Sequence, residues 1–237
     1  MKIMSSAKLG AVTVGLALAL MAFEARSGTG ARQTTTLRAL YGLTRTSELR
    51  AAHTAVVLVD FQNEFVQGRL PLPEARAAID RAAELVRWAR RSEMLLVFVQ
   101  NVAIRPASPL FVAGSESAAF VPELRPGDAD LVLQKSILGA FSRTNLDRAL
   151  RAREIDTLIV AGFMTHLAVL STASDATLLD YHVLVAADAT ATRALPGAGG
   201  EEGIDSRLMQ RAALAAMADR IAEVRRVSEI VTLKVSR

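Results

Sequence analysis

"AGFMTHLAVLSTASDA", residues 161–176, carries the end of an apolar run through a turn and into a helix-like stretch. The run it completes, "TLIVAG" (157–162), is apolar without alternation, the pattern of a strand covered on both faces. Such a strand needs helices above and below it, which points to alternating β and α elements.

The same rhythm extends outward from this stretch. "AVVLVD" (55–60), "MLLVFV" (94–99), "LVLQK" (131–135), "HVLVAA" (182–187) and "AEVRRV" (222–227) read as further strands. "EARAAIDRAAELVRWARR" (74–91) reads as an amphipathic helix, and helices are expected near 145–153, 167–180 and 204–219. The expected fold class is α/β, a doubly wound, mainly parallel sheet of about six strands in a Rossmann-like three-layer arrangement. Two long loops break the rhythm, 101–130 and the glycine-rich 195–203. "GAGGEEG" lacks the GxxxxGK[ST] pattern of a phosphate loop and carries two acids, so it reads as a flexible connection.

A chain of 237 residues with 51% hydrophobic content suits one α/β domain, expected over 36–237, preceded by a hydrophobic extension at 1–35. Within that extension Leu9–Phe23 is free of charge, with Lys2 and Lys8 before it and Glu24 after it. This is the pattern of a secretory signal or short membrane anchor, though an ordinary amino-terminal extension fits as well. The first reading places the protein in the periplasm or tethered to a membrane through residues 9–23; the second leaves it cytoplasmic.

Composition narrows the chemistry. The net charge of +4 is spread over scattered arginines with no basic block, so a nucleic-acid partner is not expected. With no cysteine, disulfides, thiolate metal sites and thiol catalysis are excluded. His53, His166 and His182 show no metal-ligand spacing, and neither a metal nor a cofactor is expected.

In open α/β sheets ligands bind beyond the carboxyl ends of the strands. Asp60 closes the first strand and Lys135 the third, and the turn at 163–168 follows the fourth. Asp60 either caps the turn into "FQNEF" or holds a buried charge that needs a partner. Lys135 is the single lysine between Lys8 and Lys234 in an arginine-rich chain, and a compact ammonium can pair with a carboxylate in a tight pocket. Asp60 and Lys135 are therefore expected in one site. Thr165 is a candidate helix cap that would leave nearby amides facing a developing negative charge. A thiol at 168 would ionise readily there, but the residue is alanine. His166 could transfer a proton or be structural.

"VVLVDFQNEF", "LQKSILGAFSRTNLDRAL" and "LIVAGFMTHLAVLSTASDA" resemble the three signature regions of the isochorismatase-like family of cysteine hydrolases, and the likeness spans roughly 38–232. The resemblance implies a catalytic set of Asp60, Lys135 and the nucleophile position Ala168, with oxyanion-binding amides at Met164 and Ala168. It further implies a cis Phe163–Met164 peptide, a pocket lined by Phe65 and neighbouring Asn101, Thr165 and His166, a small-molecule substrate and a homo-oligomer.

The chain departs from this pattern at Ala168, and three readings follow. One is an amidase-type hydrolase of a small carbon–nitrogen bond that has lost its thiol, by engineering or naturally. Another is an isochorismatase-type vinyl-ether hydrolase that uses Asp60 as an acid without a covalent intermediate. The third is a non-catalytic binding protein on the same fold.

Overall fold

Thr54–Val59 are buried without exception, as a strand flanked on both sides and covered on both faces must be. The computed structural model describes residues 35–105 and 107–237. The extension expected at 1–35, with its charge-free run 9–23, lies outside the described residues except for Thr35. From the amino end the elements are α1 (Leu37–Leu40), β1 (Glu48–Arg50), β2 (Thr54–Val59), α2 (Ala75–Arg91), β3 (Leu95–Asn101), β4 (Leu131–Lys135) and α3 (Leu146–Arg151). They continue with β5 (Thr157–Phe163), α4 (Leu170–Leu178), β6 (His182–Ala191), α5 (Ser206–Ala216), β7 (Glu223–Arg225), α6 (Val227–Ile230) and β8 (Lys234–Ser236).

The main sheet has six strands in the order β4-β3-β2-β5-β6-β7, all parallel. The chain winds outward from β2 to β4, then returns to the other side of β2 as β5. This reversal creates a switch point between β2 and β5, the place where an open α/β sheet leaves a crevice. One apolar layer joins β2 and β3 to α2 and α6, and the other joins them to α3, α4 and the end of α5.

All six expected strands are present, with shifted ends. β7 stops at Arg225 because the Val227 amide donates to Asp188 Oδ1 at 2.7 Å and starts α6 instead. β6 runs on to Ala191 through a bulge, since Val160 pairs with Val185 but Gly162 pairs with Thr190. The helix expected at 204–219 is α5 followed by a wider turn, Met217–Ile221. The parallel pair β1–β8 was not expected, as three residues per strand carry no readable period.

Gly162 lets β5 lie close against β2. Its φ is +140°, and a side chain there would meet the Val59 carbonyl oxygen at 2.0 Å. The long loop 101–130 is partly pinned rather than open. Asn63 and Glu64 amides donate to Ala119 and Ser117 carbonyls, and the Val121 amide to Phe61, at 2.7 to 3.0 Å. The glycine-rich loop is closed by paired bonds between Leu195 and Ile204, 2.9 Å each.

Candidate active site

Asp60 is the first residue beyond β2. It turns the chain out of the sheet with φ of +57°, a conformation aspartate tolerates better than most residues. Its amide donates to Val99 at 2.9 Å, while its carbonyl accepts from Gln62 at 2.7 Å. The side chain does not cap this turn. Lys135, at the end of β4 two strands from β2, places Nζ 2.6 Å from Asp60 Oδ2, with only 1% and 3% of the two side chains exposed. The ammonium also donates to the Ile137 carbonyl at 3.1 Å.

Burial raises the Asp60 carboxyl to about 6, and the Lys135 charge and hydrogen bond oppose that rise without cancelling it. Asp60 Oδ1 is buried with no partner. The pair therefore has one oxygen held by an ammonium and one open acceptor on a carboxyl raised above its ordinary value.

Beyond β5 the chain makes a cis Phe163–Met164 peptide, then a wide first turn, Thr165–Val169, before α4. Amides of Leu167 and Val169 both return to the Met164 carbonyl, at 3.0 and 3.2 Å, bracketing Ala168. Thr165 is not the cap. Met164 occupies that position without a side-chain bond, and Thr165 is fully buried in the first turn with Oγ1 unpartnered. The helix consequently starts two residues earlier than expected and widens to accommodate the turn.

Ala168 is buried in the apolar layer that includes Val59, Val99 and Leu133. These precede Asp60, Asn101 and Lys135 by one or two positions, so Ala168 belongs to the same end of the sheet. Thr172 ties the regions together: its hydroxyl donates to the Ala168 carbonyl at 2.7 Å and accepts from the Ala140 amide at 3.0 Å. Ala140 lies in the segment just after Lys135. The Thr172 hydroxyl is thus fully engaged and no substitute for a thiol.

The remaining expected residues differ in burial and in what they touch. Phe65 is buried, stacked on Phe111 at 5.4 Å and Phe163 at 5.6 Å. Asn101 ends β3 opposite Lys135, and its backbone exchanges two 2.8 Å bonds with the Gln62 side chain. His166 is half-buried and bonds through Nδ1 to Thr192 Oγ1; burial, aided by Arg193, lowers its pKa. Sequence reasoning missed Gln62, fully buried, which also donates to Ala118 at 2.6 Å and clamps the long loop. A polar residue two positions after a strand-ending aspartate was its available signal. It missed Phe111 as well, which carries no sequence signal of its own.

Outside the buried pair lies a cleft of about 730 Å³, bounded by Asn101, Ile104, Arg105, Leu110, Phe111 and Ile137 among others. Among the described residues no group of three or more His, Asp or Glu is arranged to hold a metal ion.

The fold and site define an α/β protein that holds a buried carboxylate–ammonium pair at the carboxyl ends of a parallel sheet. The family model of the isochorismatase domain matches residues 54–229, and the chain belongs to that family of hydrolases. It is 29% identical over 167 residues to a secreted isochorismatase effector of Verticillium dahliae, covering 70% of this chain and 84% of that protein. It is also 29% identical to a ureidoacrylate amidohydrolase of Stutzerimonas stutzeri, covering 63% of this chain and 79% of that protein. The crystal structure of an isochorismatase from Pseudomonas putida superposes with a TM-score of 0.76 at 28% identity, covering 83% of this chain and 98% of that one.

Proposed function

We propose that this chain is a hydrolase that acts on a small molecule by proton transfer from Asp60, without a covalent enzyme intermediate. The observation that carries this reading is a buried carboxyl raised to about 6, with Oδ1 unpartnered, at the same end of the sheet as an alanine in the nucleophile position. Thiol attack is closed to the chain because it has no cysteine.

The chemistry that fits is cleavage of a vinyl ether. Protonated Asp60 gives its proton to the terminal alkene carbon, leaving a positive charge on the ether carbon. Water adds to that carbon and returns a proton to Asp60, and the hemiketal collapses to a carbonyl compound and an alcohol. Lys135 holds Oδ2 and balances the carboxylate while the proton is away.

A second reading, hydrolysis of a small amide or ureide by a scaffold lacking its thiol, draws support from the likeness to the ureidoacrylate amidohydrolase and from the helix-start turn around Ala168. One assay separates the two. The unmodified chain and Ala168→Cys are each given isochorismate and a panel of small amides and ureides. Isochorismate turnover by the unmodified chain supports proton-transfer hydrolysis. Amide turnover confined to the cysteine variant supports the second reading, and silence everywhere points to a binding protein.

A further inference from the structure

Asp60 Oδ1 is sealed from solvent, yet any molecule that reacts with Asp60 must reach it. The neighbouring cleft is lined by neither member of the pair, and among its described lining residues the buried one is Phe111. The ring is 8% exposed and packs on Phe65, which in turn packs on Phe163 beside Asp60 on the next strand. Its backbone is anchored close to the pair, because the Phe111 carbonyl accepts from Ala103 at 2.9 Å and the adjacent Val102 amide donates to the Lys135 carbonyl at 2.8 Å. Ile137, on the same cleft, supplies the carbonyl that holds the Lys135 ammonium.

Phe111 also has a φ of +53°, in the left-handed region that a bulky residue rarely occupies. A conformation of this kind persists where surrounding packing enforces it and is released when that packing is lost. Gly114, three residues on, has a φ of +76° with open space around it, so the chain can turn there. The segment 107–114 thus holds a strained aromatic against the core, where its ring stacks on Phe65.

We propose that Phe111 is the access residue of this site: its ring divides the outer cleft from the Asp60–Lys135 pair, and its displacement sets the size of molecule that is admitted. The proposal rests on reading that pair as the reacting centre, but its test reads access alone. Lys135 is the reporter, and the exposed Lys234 is the internal reference. Each protein is treated with cyanate, a very small amine reagent, and separately with bulky trinitrobenzenesulfonate, and both lysines are quantified by peptide mass spectrometry. Both reagents need the same deprotonated amine, so their ratio isolates size.

In the parent, Lys135 should be modified by cyanate well ahead of trinitrobenzenesulfonate. Phe111→Gly suits the left-handed backbone and removes the ring. It should raise the trinitrobenzenesulfonate rate at Lys135 on the order of tenfold, with a much smaller change for cyanate and none at Lys234. Val112→Ala, on the same segment with a partly exposed side chain, should behave as the parent. An unchanged size ratio in Phe111→Gly overturns the proposal. So does a Val112→Ala variant as open as Phe111→Gly, since the loop in general, not the ring, would then control entry.

Discussion

The Asp60 carboxylate and the Lys135 ammonium, 75 positions apart in the chain, meet at 2.6 Å with almost no solvent contact. Neither can be buried alone without severe cost, so each secures the other at the carboxyl ends of β2 and β4. The proton chemistry proposed for Asp60 and part of the fold's stability therefore share one contact.

That contact sets a pH dependence. The Asp60 carboxyl is raised to about 6, so it is protonated below that value and ionised above it. If Asp60 acts as the acid, kcat/KM should be level at acid pH and fall about tenfold per pH unit above about 6. The raised value also means the folded state binds a proton more tightly than the unfolded chain. This contribution to stability is complete below the ordinary value of 3.8 and disappears as pH rises through about 6. A pH series of turnover and urea unfolding, with Asp60→Asn as control, checks both slopes; activity that rises through this window would contradict the acid role.

Lys135→Met removes the counter-charge and leaves Asp60 buried with apolar neighbours. The carboxyl should move further up, and the variant should lose about 3 kcal/mol at pH 8, where ionisation is forced, but much less at pH 5. Denaturant melts at the two pH values measure this difference. Equal losses at both would show that the pair contributes through packing rather than charge.

Ala168→Cys places a thiol in the wide turn that leads into α4, between the Leu167 and Val169 amides that return to Met164. If the turn retains the geometry for acyl transfer, hydrolysis of a small ureide should rise by about three orders of magnitude over the parent. A trapped acyl adduct, seen by intact mass, would accompany it.

Thr172→Val keeps the shape of the side chain but removes both bonds that join Ala140 to Ala168. Loss of about 1–3 kcal/mol is expected, because the Ala140 amide is left without its acceptor. Chemical denaturation gives the number, and a change below a few tenths would mean the two segments do not depend on this hydroxyl.

Gly162→Ala forces a methyl group to within 2.0 Å of the Val59 carbonyl oxygen at a backbone angle only glycine takes easily. The cost should exceed about 4 kcal/mol, enough to prevent accumulation of folded protein. Recovery of soluble, cooperatively melting Gly162→Ala would show that β2 and β5 can separate.

What the sequence determined by itself was the layered α/β class, its six strands, and the pairing of Asp60 with Lys135. Those features are written locally: buried parallel strands read as unbroken apolar runs, and a lone lysine among arginines is visible in composition. The tertiary structure alone decided that Thr165 is buried rather than a cap, that Thr172 binds Ala140, that Gln62 clamps the long loop, and that Phe111 stacks on Phe65. Each of these depends on which distant segments are brought together by a strand order of β4-β3-β2-β5-β6-β7. Hydrogen bonds and stacking act over a few ångströms, and no periodicity within a single segment records the partner that folding will place there.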